Sequence, residues 1–326
     1  MLVIYMEEGT SITAVDITKK NKSLLDRALW VDLLCPSKLE ESIVEEYFKI
    51  EIPTKVEMEE IEPSSRLYSE NNALYMTASM IAHSDSPEPK VEAVSFIFAQ
   101  NKLITLRYIE PHSFKVFISQ IKRSPSTTYD AENLLVSLLE ITTDRLADIL
   151  EKVSKKFDEI SHLIFHKNGH SSGSNVINYK QLLQTIGSNC VLGTKTRDSL
   201  ISFIRLVSFL EQKSKAKLNQ EILSRLAIIS KDLSALSDYA VYISTEVNFL
   251  LDATLGMINI EQNNIIKIFS VAAVIFLPPT LIASMYGMNF HHMPELNWNF
   301  GYPVSLLLMV ISAWLPYRFF KRKKWL

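Results

Sequence analysis

A chain of 326 residues has room for two domains, or for one soluble domain and a membrane part. A formal net charge of −2 lacks the basic surplus of a nucleic-acid binder, and only 8 glycines favour long helices over turn-rich β structure. The 2 cysteines, Cys35 and Cys190, lie in segments whose topology is cytosolic, so they are expected reduced and buried rather than bridged.

Residues 1–110 read as a small cytosolic α/β domain. Leu2–Tyr5, Ser11–Val15 and Leu29–Leu33 are β-prone runs bounded by polar residues. The apolar run at Met1–Tyr5 stops at Glu7 and Glu8 and does not read as a signal peptide, so insertion is expected to rely on the C-terminus. Ser37-Lys-Leu-Glu40 is a capping box, opening a helix to about Phe48. Leu67–Tyr68, Leu74–Ala82, Val91–Ala99 and Leu103–Tyr108 read as further strands. Gln100-Asn101 makes a hairpin of the last two, and Ser84–Lys90 is a proline-bearing loop.

Residues 111–264 switch to helical period. Ser113–Ile121 is a short helix. Leu134, Leu135, Leu138, Leu139, Thr142, Leu146, Ile149, Leu150, Val153 and Phe157 form one stripe, predicting a long amphipathic helix over Ala131 to about Phe165. Lys167–Ser174 breaks it, and a second helix follows from about Asn175 to Lys213. A third starts near Lys215 and, with no Pro or Gly before Gly256, is expected to run on to Tyr286 as a stalk of about 100 Å.

Residues 265–326 form a transmembrane hairpin: a first span over about 267–286, a loop at 287–301, a second span over about 302–320 and a basic tail at 321–326. Ile268–Tyr286 holds no charge, and its length of roughly 28 Å approaches a hydrocarbon core. Tyr302–Phe320 carries only Arg318. Lys267 and Lys321–Lys324 flank the spans while the loop has no Lys or Arg, which puts both termini in the cytoplasm. The aromatic residues Trp298 and Tyr302 suit the outer interface, Tyr317 and Trp325 the inner one, and the tail suits anionic lipid. Pro278-Pro279 removes two backbone donors and predicts a kink; the Thr280 hydroxyl is expected to rescue a carbonyl or to line a pore. No Walker A loop is present, and no proton-relay residue sits inside either apolar core.

Tyr286-Gly287-Met288-Asn289-Phe290 closes the first span. With I-N-I-E-Q-N-N-I-I-K-I-F-S, F-L-P-P-T-L-I-A-S, M-P-E-L, W-N-F-G-Y-P and F-K-R-K-K-W-L, it resembles the CorA family of magnesium transporters, closely over Asn248–Leu326 and loosely before. The resemblance implies an α+β membrane protein in which the stalk continues into the first of two transmembrane helices. It also implies a funnel-shaped homopentamer in the bacterial inner membrane. The first span would line the axis, and Mg2+ would be both cargo and regulator, with no organic cofactor. Uptake would be channel-like and driven by membrane potential, with Co2+ and Ni2+ as further candidate cargo. Two spans per chain cannot enclose a water-filled path, so oligomerisation is required in any case.

At heptad-like spacing one face of the first helix carries Thr245, Asp252, Gly256, Asn259, Asn263, Ile266, Ser270, Ala273, Leu277, Thr280 and Ser284. By resemblance, Asp252 and Asn263 face the pore and, with Asn289, meet the ion. Gly287, Met288 and Asn289 are the candidate selectivity filter: an amide ring can bind the waters of a hydrated Mg2+, which dehydrates reluctantly. Gly287 is expected to let the chain turn where the helix ends. The competing reading of Gly287–Asn289 is a helix C-cap with left-handed residues. Ile266, Phe269 and Leu277 are candidate constrictions, or ordinary packing. His291, His292 and Glu295 lie at the outer mouth, where the histidines would repel cations once protonated.

Cytosolic regulation would need carboxylates from facing subunits. Glu57, Glu59, Glu60, Glu62, Asp232, Asp238 and Glu246 are available, or form solvated faces. His162, His166 and His170 have the spacing of a helical metal clamp, but Asn168-Gly169 argues that the helix ends first. The alternatives are a zinc transporter resembling ZntB, and a membrane-anchored scaffold or sensor.

Overall fold

The computed structural model describes residues 1–8, 11–17, 21–123, 130–165, 178–214, 219–288, 293–294, 298–323 and 325. The chain divides into two compact units, Met1–Leu251 and Asp252–Leu326.

The first unit is built on a seven-stranded sheet. Its strands are β1 (Leu2–Glu8), β2 (Ser11–Asp16), β3 (Ala28–Leu34), β4 (Leu67–Glu70), β5 (Ala73–Ala82), β6 (Lys90–Ala99) and β7 (Lys102–Arg107), in spatial order β2-β1-β3-β7-β6-β5-β4. Tight turns set most of the register. Asn71-Asn72 and Gln100-Asn101 both hold positive φ at two successive residues, the twist that two-residue hairpins require. β3 and β7 pair in parallel, with Trp30 opposite Leu103 and Leu34 opposite Arg107. The intervening chain, including β4–β6, makes the crossover that a parallel pair demands.

Alternation along the strands gives the sheet two buried faces. Ile4, Met6, Val31, Leu33, Ile104 and Leu106 pack with Ile43, Val44 and Phe48 of α1 (Lys38–Phe48). Both arms of the expected capping box form: the Ser37 N–H donates to Glu40 Oε2 at 2.8 Å, and the Glu40 N–H donates to Ser37 Oγ at 3.4 Å. A second box, Thr54 with Glu57, opens the short helix α2 (Lys55–Glu59), which is followed by α3 (Pro63–Arg66).

The other face centres on Trp30, fully buried and stacked on Tyr5 at 4.2 Å. It lies 5.3 Å from Phe117 of α4 (His112–Arg123), and Phe96 meets Phe203 of α6 (Tyr179–Ser214). Beneath Trp30 sits a polar chain. Trp30 Nε1 donates to Thr105 Oγ1, and Thr105 Oγ1 donates to Asp32 Oδ1. Arg107 grips the same carboxylate with Nε at 3.0 Å and an NH2 nitrogen at 2.7 Å.

Every residue of the predicted stripe from Leu134 to Phe157 is buried on α5 (Ala131–Phe165). The expected break at Lys167–Ser174 lies outside the described residues, as does the expected start of the next helix near Lys215. From Gln220 that helix, α7 (Gln220–Tyr286), runs 67 residues, about 100 Å at 1.5 Å each. Arg225 ties it to α5 through Glu140, Ser137 and Asn133, and Tyr239 donates to Ser154. Helical assignment continues through Pro278-Pro279.

One expectation fails. Cys35 and Cys190 are both free, but Cys35 is exposed and Cys190 only half-buried. Cys35 follows β3 at φ 43, a left-handed position just past the strand, with its Sγ donating to the Tyr108 carbonyl at 3.5 Å.

Candidate functional site

The second unit holds the end of α7 and the helix α8 (Gly301–Arg322). Each contains a stretch long and apolar enough to cross a membrane, with only 6% of that stretch buried within the chain. A soluble core helix would be covered. Phe269, Phe276, Leu281, Val310 and Leu315 are all more than half exposed, an apolar surface that water does not tolerate on this scale. The helical backbone satisfies its own polar groups, as a bilayer demands.

The two helices shield one side of each other. On α7, Lys267, Val271, Ile275, Pro278, Ile282 and Tyr286 are buried or half-buried, and on α8 Val304, Ser305, Met309, Ser312, Pro316 and Phe320 are likewise covered. The sequence-derived pore face lies elsewhere on α7. Asp252, Asn259, Asn263, Ile266, Phe269, Ser270, Leu277, Thr280 and Ser284 are all exposed. At about 100° per residue their mean direction stands roughly 140° from that of the shielded side. Ile266 at 62%, Phe269 at 72% and Leu277 at 64% exposure are left largely uncovered by the described residues. From Asp252 the exposed seam steps 4 and 3 residues alternately through Ser284, a spacing that keeps these side chains along one side of the helix.

The hydroxyls on this seam are turned back on their own helix. Ser270 Oγ donates to the Ile266 carbonyl at 2.8 Å, and Thr280 Oγ1 donates to the Phe276 carbonyl at 2.7 Å. The carbonyls that lose their partners to Pro278 and Pro279 are those of Val274 and Ile275, one helical step earlier. Thr280 therefore rescues neither, and its oxygen keeps lone pairs for the seam.

At the end of α7 the Gly287 N–H still donates to the Ala283 carbonyl at 2.9 Å, and the Met288 N–H tightens to Met285 at 3.3 Å. Gly287 is not in the left-handed region, and neither is Met288. What glycine supplies here is clearance: a Cβ would lie 3.1 Å from the Ala283 carbonyl oxygen. Among the described residues no backbone donor reaches the Ser284 carbonyl, which lies at the negative end of the helix dipole. Asn289, His291, His292 and Glu295 lie outside the described residues.

The soluble acids divide into two groups. Glu57 accepts from Thr54 N–H at 2.7 Å, and Lys55 reaches Glu59 at 3.8 Å, so these serve the short helix; Glu60 and Glu62 are exposed. On α7, Asp232 and Asp238 are exposed and Glu246 is half-buried. Burial, and then Asp158, pushes the Glu246 carboxyl above its usual range. Burial likewise raises Asp144, with Asp148, Glu140 and Asp232 adding repulsion. Among the described residues no three His, Cys, Asp or Glu side chains are grouped to hold a metal ion. His162 lies on the last turn of α5, while His166 and His170 are outside the described residues.

Sequence reasoning missed one contact in this unit. The Lys267 ammonium sits 5.4 Å above the Trp325 ring, across 58 residues of chain. Only the rarity of basic residues on α7 pointed to Lys267.

A family model described as CorA-like Mg2+ transporter protein matches residues 26–322. The chain is 37% identical over 302 residues to the magnesium transport protein CorA of Wolinella succinogenes, covering 91% of each. Its fold is similar to that of the CorA magnesium transporter of Methanocaldococcus jannaschii, with TM-score 0.74 and 18% identity over 100% of this chain and 99% of that one. A weaker likeness, TM-score 0.51 and 10% identity over 79% of this chain and 97% of the other, joins it to the cytoplasmic domain of ZntB from Vibrio parahaemolyticus and is one of fold alone.

Proposed function

Because the chain belongs to the CorA-like Mg2+ transporter family, we propose that it carries Mg2+ into the cell through a pore lined by α7 in a homopentamer. The observation that carries this is the exposed seam from Asp252 to Ser284, turned away from the covered side of α7 and polar at both ends with small or apolar residues between. Among the described residues nothing covers it, and two spans cannot surround water.

The chemistry of the seam suits a divalent ion that keeps its waters. Five copies of Asp252 concentrate cations at the inner end, and Asn259 and Asn263 offer amide oxygens to the hydration shell. At the outer end the last carbonyls of α7 and the amide of Asn289 act on the same ion. Ile266, Phe269 and Leu277 narrow the path between them, where dewetting closes it. Co2+ and Ni2+, which also form six-coordinate aqua ions, are further cargo. An interior-negative potential drives entry, worth about 4.6 kcal/mol per 100 mV for a divalent ion.

Both termini lie in the cytoplasm, and the loop between the spans lies outside, as the distribution of Lys and Arg indicates. Cytosolic Mg2+ closes the pore by relieving repulsion among carboxylates of facing subunits, with Asp232, Asp238 and Glu246 contributing. Burial first, and then the neighbouring acids Asp158 for Glu246 and Asp148, Glu140 and Asp232 for Asp144, raises these two carboxyls, so added negative charge is disfavoured on this part of the stalk.

Reconstitution of the full chain in liposomes containing a Mg2+-sensitive dye tests the reading. Influx should rise with an imposed interior-negative potential and fall at least tenfold in Asn289→Ala. Absence of influx, or influx indifferent to potential and to Asn289, would overturn it.

A further inference from the structure

Between Asp232 and Tyr286 the helix α7 contains one basic residue, Lys267. A lone cation on a pore helix is a hazard to a cation path, so where its charge rests matters. At about 100° per residue Lys267 sits roughly 90° round from the centre of the exposed seam, and its four-carbon stem can swing to either side.

In the structure it is held on the far side. Lys267 is half-buried, and its ammonium lies 5.4 Å over the ring of Trp325. Trp325 is itself fixed twice: its N–H donates to the Phe320 carbonyl at 3.1 Å, and its ring stacks on Phe320 at 5.5 Å. Two other basic residues at this end take aromatic partners from their own helix. Arg318 covers Trp314 at 5.2 Å, and Lys321 covers Tyr317 at 5.8 Å. Among the described residues at this end, Lys267 is the basic side chain met by an aromatic residue from outside its own helix, beyond the end of α8.

We propose that Trp325 is a positioning residue for transport: it holds the Lys267 ammonium against the base of α8 and so keeps positive charge off the ion path between Asp252 and Ser270. The inference rests on the seam of α7 being the pore. Loss of the ring frees five ammonium groups near the level of Asn263 and Ile266, where each repels an approaching Mg2+.

The test is Mg2+ influx into liposomes by the full-length protein and four variants, each checked for unchanged oligomer size. Trp325→Ala should lower influx about two- to fivefold, the population change that loss of one cation–π contact produces. Trp325→Phe keeps a ring and should retain most of it. Lys267→Met should be close to wild type, and Lys267→Met combined with Trp325→Ala should recover the lost influx. Added potassium chloride should narrow the Trp325→Ala deficit, because screening acts on charge and not on packing. Influx in Trp325→Ala equal to wild type, or a deficit that Lys267→Met does not relieve, overturns the inference. Absence of influx in the wild-type protein instead overturns the pore itself.

Discussion

Asp32→Leu should loosen the centre of the soluble unit far more than the loss of one hydrogen bond would. The side chains of Asp32 and Arg107 are 2% and 4% exposed, and their bidentate contact spans 3.0 and 2.7 Å. Without the carboxylate, the guanidinium keeps only the Ile109 carbonyl at 3.2 Å and the face of Phe114 at 4.6 Å. A buried cation left in that state costs about 3–5 kcal/mol. Hydrogen exchange of β3 and β7 amides in the full-length protein reads this directly. Their protection should fall by about two to three and a half powers of ten. Asp32→Leu combined with Arg107→Met removes both charges and should return protection to within about tenfold of wild type. If the single and double variants lose equal protection, the cost lies in packing and the reasoning fails.

Gly287→Ala should cut Mg2+ influx at least tenfold with oligomer size unchanged, since a methyl 3.1 Å from the Ala283 carbonyl oxygen displaces the carbonyls that end α7; wild-type influx would show that the clearance is irrelevant. Thr280→Val should leave helix stability unchanged, because the hydroxyl bonds to Phe276 and not to the carbonyls orphaned by the prolines; a marked fall in thermal midpoint would contradict this. Glu246 has a raised carboxyl, so its charged form weakens the fold as pH rises above the usual carboxylate range. Glu246→Gln should therefore raise the thermal midpoint at pH 7.5 and not at pH 4, and equal shifts would refute the sign. Asp85 runs the other way: the hydrogen bond from Lys152, aided by Arg145, holds its carboxyl low. The tie between the Ser84–Lys90 loop and α5 is then present above pH about 4 and lost as pH falls through the lowered value. Proteolysis of that loop should accelerate on acidification in the wild type but be fast and pH-flat in Lys152→Met combined with Arg145→Met, which removes both partners of Asp85.

The parts legible in the sequence were those fixed by near neighbours. The stripe from Leu134 to Phe157 is a matter of three- and four-residue spacing, and all of it is buried on α5. The Ser37–Glu40 box spans four residues and forms as read. The same pattern at Thr54–Glu57 opens a helix of only five residues, too short for periodicity to announce. The parallel pairing of β3 with β7 joins residues about seventy apart and is set by the crossover, which no local signal encodes. At the site, the repeating spacing on α7 picked out residues that are exposed on the helix. The conformation of Gly287 was not readable, because glycine fits both a left-handed cap and a crowded helix end, and only its backbone conformation separates them. The Lys267–Trp325 contact depends on where the chain goes after α8 and was equally out of reach.

The account stands on α7 meeting copies of itself around an ion. Native mass spectrometry of the full-length protein released from lipid counts those copies directly. Five chains per particle, with divalent ions retained in the wild type and fewer retained in Asn263→Leu, is the predicted result. A particle of one or two chains would contradict it, since so few spans cannot surround a path for water.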